Sequence, residues 1–200
     1  IHGYCVVHWC LLKRFFHSKG QEQYGAGVLI TDRHVLTAAH CMRRVTVENL
    51  LVRLGEYDFK RTNDSRIYNF RVIEIRKHEL FDRFNYHNDI AILKLHRAAV
   101  FNTYVWPICL PPRGLELDNE IVTVIGIDYC TNIFQYRSTM IYSCWGALKY
   151  RGEFSNVLME LSIPVWEHQS CINSFSDTVF DETICAAGKE GKKDSCQVYI

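Results

Sequence analysis

Gly25-Ala26-Gly27-Val28-Leu29-Ile30-Thr31-Asp32-Arg33-His34-Val35-Leu36-Thr37-Ala38-Ala39-His40-Cys41 holds two short apolar runs on either side of a polar turn. Two such runs joined by Thr31-Asp32-Arg33 predict a β-hairpin. The second run closes on small residues and delivers His40 to the point where an apolar strand gives way to a turn. A histidine there can serve as a positioned general base, although a lone histidine in such a place is more often simply packed.

Outward from the hairpin the pattern stays that of short strands. They are expected at Leu50 to Leu54, Tyr68 to Arg76, Ile90 to Leu95, Glu120 to Ile125 and Val157 to Val165. Polar, turn-rich pieces separate them, such as Lys60-Arg61-Thr62-Asn63-Asp64-Ser65-Arg66 and Leu110-Pro111-Pro112-Arg113-Gly114. Many short strands with little helical period argue for an all-β sandwich or barrel. Only Pro164 to Cys171 reads as a strand leading into a short helix. Ile1 to Tyr24 has no clean period and reads as a covered strand with incidental cysteines. Cys5, His8, Cys10 and His17 could be gathered into a zinc set, but their spacing fits no usual ligand pattern.

Composition narrows the classes of function. The 200 residues suit one domain or two small packed halves. A net charge of +1 gives no electrostatic case for nucleic acid or an anionic membrane. The partly apolar Cys5 to Phe16 is interrupted by His8, Lys13 and Arg14 and is too short to span a bilayer. Nine cysteines are many for a cytosolic chain of this size and point to an oxidising, extracellular compartment, and the odd number leaves at least one without an internal partner. The chain opens on Ile1, as expected of a processed product or a fragment.

Three landmarks stand in order: Thr37-Ala38-Ala39-His40-Cys41, Asn88-Asp89-Ile90-Ala91-Ile92-Leu93 and Asp194-Ser195-Cys196-Gln197. Together they resemble the trypsin and chymotrypsin family of serine endopeptidases, most of all the arthropod clip-domain proteases of secreted cascades. Val105 to Pro111 and Ser162 to Val165 resemble further segments of that family, and the likeness covers Gly25 to Gly126 and Trp145 to Gln197. The resemblance implies a single peptidase domain over residues 1–200. Its two antiparallel β-barrels would be a first of about 20–100 and an incomplete second of about 101–200, with the active site between them.

The resemblance also implies roles. A serine hydroxyl is a poor nucleophile until an imidazole takes its proton, and the imidazole needs a carboxylate to fix its tautomer. His40 would be the base and Asp89 the orienting acid, where an isolated Asn-Asp would otherwise be read as a turn cap. Asp194 would form the floor of a specificity pocket for lysine or arginine, or else be a solvated residue after Lys192-Lys193. Cys171 and Cys185 would form a family disulfide. No cofactor and no metal are expected. Glu56, Asp58 and Asp64 lie in a loop that binds calcium in some relatives, but their spacing matches poorly. Asn63-Asp64-Ser65 is a glycosylation sequon. Protein substrates or cascade proteins are the expected partners.

Departures from the family are as informative. Where it continues from cysteine and glutamine into Gly-Asp-Ser-Gly-Gly-Pro, this chain reads Cys196-Gln197-Val198-Tyr199-Ile200. The nucleophile's position falls on Ile200, and the aspartate that would receive a new amino terminus falls on Tyr199. Ser195 is not the nucleophile, since it precedes the cysteine. Loss of the nucleophile and the oxyanion-hole donors implies activity near background. Gly126 and Trp145-Gly146 would join into the family's Gly-Trp-Gly without Ile127 to Cys144, a segment of 127–144 that reads like translated intron or, alternatively, a surface loop. Gly25 stands where the family has the cysteine that bridges to Cys41. The alternatives to an endopeptidase are a non-catalytic protease homologue that binds cascade proteins and a truncated gene product with no function of its own.

Overall fold

The computed structural model describes residues 9–16, 20–43, 45–56, 58, 67–126, 159–174 and 184–186. Two compact units emerge, Ile1–Arg83 with Asn88–Leu110 and Phe84–His87 with Pro111–Ile200. The first is built on six strands: β1 (Trp9–Phe16), β2 (Gly20–Leu29), β3 (His34–Thr37), β4 (Leu50–Leu54), β5 (Tyr68–Lys77) and β6 (Ala91–Leu95). They close into an antiparallel barrel in the order β1-β2-β3-β6-β5-β4.

The hairpin expected from Gly25 onward is β2 and β3, with Val28 opposite Leu36 and Leu29 opposite Val35. Thr31 forms the turn with its side chain, Oγ1 accepting the backbone N–H groups of Arg33 and His34 at 3.1 and 3.0 Å. β1 lies ahead of residue 20, the start of the barrel read from sequence, and closes it by pairing with β4 from Cys10↔Leu54 to Arg14↔Leu50. That pairing joins segments about forty residues apart and leaves no local period to read. Register shifts at Leu12/Lys13 and Val72/Glu74 add the bends that a closed sheet needs.

Alternation sorts the residues of β5 and β6. Phe70 and Val72 point inward from β5, and Ala91, Leu93 and Leu95 from β6. With Leu29, Val35, Ala39, Met42, Leu50, Val52 and Leu54 they make one buried cluster. Phe70, 2% exposed, is the largest buried side chain in it. Gly55, with φ +78°, ends β4 in a left-handed conformation that suits glycine.

The second unit contains β7 (Ile121–Gly126) and β8 (Met159–Pro164), paired from Ile121↔Pro164 to Gly126↔Met159. Among the described residues this two-stranded sheet represents the second barrel, which is incomplete. The strand-then-helix pattern is present as β8 followed by α1 (His168–Ser174). Trp166 N donates to Cys185 O at 2.8 Å, and the Cys171–Cys185 disulfide, with Cα atoms 5.9 Å apart, ties the helix to that segment. Asp194, Asn63, Asp64, the segment 127–144, Cys5, His8, His17 and residues 198–200 lie outside the described residues.

Candidate catalytic site

The barrel register brings the two chemical residues together. β3 and β6 pair with Thr37 opposite Ala91. Two residues past Thr37 and two before Ala91, the same antiparallel register sets Asp89 beside Ala39 and next to His40. Thr37, 1% exposed, donates from Oγ1 to Ala26 O at 2.8 Å and holds the end of β3 against β2. Ala38 and Ala39 are buried, and their small side chains let the chain turn tightly at the barrel wall. One 3₁₀ turn, His40–Met42, follows, with Met42 N bonded to Ala39 O at 3.0 Å. Lys77 Nζ donates to Met42 O at 3.2 Å and caps that turn from β5.

Asp89 is set from its own side by Asn88, whose φ of +56° is a left-handed value that asparagine tolerates. Asn88 Nδ2 donates to Leu80 O at 3.1 Å, and His78 N to Ile90 O at 2.9 Å. The carboxylate is 2% exposed, and the His40 side chain 19%. Oδ1 of Asp89 accepts the His40 backbone N–H at 2.7 Å, and Oδ2 lies 2.5 Å from His40 Nδ1. A buried carboxylate satisfied in this way selects Nδ1 as the protonated nitrogen and aims Nε2 away from itself.

Electrostatics follow from the contacts. Burial of the ring by itself lowers the His40 pKa. The Asp89 hydrogen bond, a hydrogen bond to Cys41 and the electrostatic influence of both partners outweigh it and raise the pKa from 6.5 to about 10. Nε2 of His40 lies 3.4 Å from Cys41 Sγ. Adjacency in one turn and the odd cysteine count are the signals in the sequence that point to this contact. Glu56 belongs to the acidic set Glu56, Asp58 and Asp64. Its carboxylate is buried and bound by Arg53 Nη1 at 3.1 Å. Among the described residues no three His, Cys, Asp or Glu side chains are grouped to hold a metal ion.

A protein-family model described as Trypsin matches residues 12–198. The chain is 34% identical over 180 residues to the proclotting enzyme of Tachypleus tridentatus, covering 86% of this chain and 44% of that protein. It is 36% identical over 181 residues to the venom protease of Bombus pensylvanicus, covering 90% of this chain and 68% of that one. The chain thus spans less than half of the first of these relatives and about two thirds of the second. A solved structure described as "Structure of GrC" has the same fold, with a TM-score of 0.72 at 24% identity over 92% of this chain and 72% of that one.

Proposed function

The chain belongs to the trypsin family, and from that premise we propose that it derives from a serine endopeptidase cleaving after lysine or arginine. In this reading His40 is the general base, Asp89 the group that orients it, and Asp194 the floor of the specificity pocket. The carrying observation is the double contact of one buried carboxylate with the backbone and the ring of His40. In peptide hydrolysis Nε2 would take the nucleophile's proton while Asp89, still ionised, stabilises the imidazolium.

Residues 1–200 by themselves are proposed not to turn over. The nucleophile's position is occupied by Ile200, which has no group able to attack a carbonyl. Protein substrates and an extracellular setting belong to the same proposal, supported by the Cys171–Cys185 disulfide. No helix among the described residues is long and apolar enough to cross a membrane.

The Ile200 substitution also fits a non-catalytic homologue that binds cascade proteins. One experiment separates the readings. The purified chain is incubated with an arginyl p-nitroanilide and, separately, with a serine-directed aryl phosphonate. No release above buffer and no covalent label are expected. Steady release together with labelling refutes the inactive assignment, and saturable peptide binding without cleavage favours the homologue.

A further inference from the structure

The endopeptidase reading uses His40 through Asp89 at Nδ1. The other ring nitrogen already has a neighbour in this chain, because Nε2 is 3.4 Å from Sγ of Cys41. Cys41 is a free thiol of intermediate exposure. It directly follows the histidine inside the 3₁₀ turn His40–Met42, whose ends are held by Met42 N to Ala39 O and by Lys77 Nζ to Met42 O. The turn holds the two residues side by side, and the Asp89 contact at Nδ1 orients the ring whose Nε2 the sulfur meets. On the far side of the ring stands a carboxylate that is 2% exposed and bonded to Nδ1. A thiol, an imidazole and a buried carboxylate in line are the components that make cysteine nucleophilic, since the thiolate is the attacking species and the imidazolium balances its charge.

We propose that Cys41 is an activated thiol that takes up small aliphatic disulfides, with His40 as its proton partner and Asp89 as the group that holds the imidazole in place. With the proton of the pair resting on Nε2, Sγ attacks as the thiolate at one sulfur of R–S–S–R. The new Sγ–S bond forms as the S–S bond breaks, and RS⁻ leaves with the electron pair and collects a proton from Nε2 or water. Cys41 is oxidised to a mixed disulfide and one half of the reagent is reduced to the thiol, so no further oxidant enters. The reaction needs no serine and stands independently of the endopeptidase reading.

The test uses the whole 200-residue chain, folded, with bis(2-hydroxyethyl) disulfide as the probe, quenched at intervals and mapped by peptide mass. Cys41 is expected to form the mixed disulfide at least about tenfold faster in the folded chain than in the same chain in concentrated urea. In His40→Gln, which keeps a hydrogen-bonding side chain without the imidazole, the rate at Cys41 is expected to fall by about tenfold while the circular dichroism spectrum is retained. Equal rates in folded chain and urea, or a wild-type rate in folded His40→Gln, overturns the proposal. Should His40→Gln fail to fold, the folded-to-urea ratio of the unaltered chain decides by itself.

Discussion

Asp89 binds His40 twice: its Oδ1 accepts the His40 backbone N–H at 2.7 Å and its Oδ2 lies 2.5 Å from Nδ1 of the ring. The side chain therefore fixes both where the turn His40–Met42 begins and how the imidazole is oriented. The residue that tunes the imidazole is also part of the barrel's architecture, so charge and fold respond together when it is changed.

Asp89→Asn separates the two roles. Asparagine keeps the shape and an oxygen for the backbone N–H, but it removes the charge and sets an amide against Nδ1. The hydrogen bond and the charge of Asp89 are among the causes that raise the His40 pKa to about 10, so the imidazole is expected to titrate more than a unit lower. Mispairing at a buried site is expected to cost about 2–4 kcal/mol at neutral pH. Imidazole NMR and urea unfolding read the two effects. A titration still centred near 10 would refute the assignment of Asp89 as the dominant partner.

The same shift predicts how stability varies with pH. A histidine whose folded pKa, about 10, lies above its unfolded value of 6.5 favours the folded state by binding its proton more tightly there. That contribution is fully present below the unfolded value and is lost as pH rises towards the folded one. The difference in urea midpoint between the unaltered chain and His40→Gln should therefore be largest near pH 6 and shrink steadily up to about pH 10. Taking the difference cancels the titration of tyrosines and lysines common to both chains. A difference that is flat, or that grows with pH, contradicts the sign of the shift.

Packing gives a contrast that does not involve the site. Phe70 is 2% exposed in the barrel core, whereas Leu80 is 73% exposed. Phe70→Ala is expected to cost about 3–5 kcal/mol through lost burial and a cavity, and Leu80→Ala within about 0.5 kcal/mol. Thermal and urea unfolding of the two variants check this. Similar losses in both would mean that the barrel does not pack around Phe70.

How much of this could be read from sequence depends on whether the determining contact is local. The hairpin was legible because Val28 to Ile30 and His34 to Leu36 flank one polar turn, and β8 with α1 because Pro164 to Cys171 changes from strand to helix character. His40 and Asp89 were legible as residue types in flanking patterns. Their meeting depends on the Thr37↔Ala91 register, which skips over β4 and β5 and which no local period encodes. β4 shows the limit from another side: Leu50, Leu51 and Val52 are all buried, so alternation could not tell its faces apart. From sequence Cys41 is only a cysteine short of its bridge, because no local pattern reveals that its sulfur turns onto Nε2.

Gly25→Cys tests that last relationship from the opposite strand. Gly25 lies in β2 beside Ala26, whose carbonyl accepts Thr37 Oγ1 at 2.8 Å, so a side chain at position 25 is close to the turn that carries Cys41. The resemblance to trypsin-type proteases puts a cysteine there, bridged to the position of Cys41. Oxidised Gly25→Cys is expected to lose the free Cys41 thiol and to gain about 3 kcal/mol from closing a loop of about sixteen residues. Disulfide formation also removes the thiol whose hydrogen bond and electrostatic influence help to raise the His40 pKa, so the imidazole should titrate lower in the oxidised variant and regain its high value on reduction. A thiol assay, a melting curve with and without dithiothreitol, and imidazole NMR measure the three outcomes. If the variant keeps Cys41 alkylatable under oxidising conditions and melts alike with and without reductant, β2 does not approach the His40 turn closely enough to bridge it.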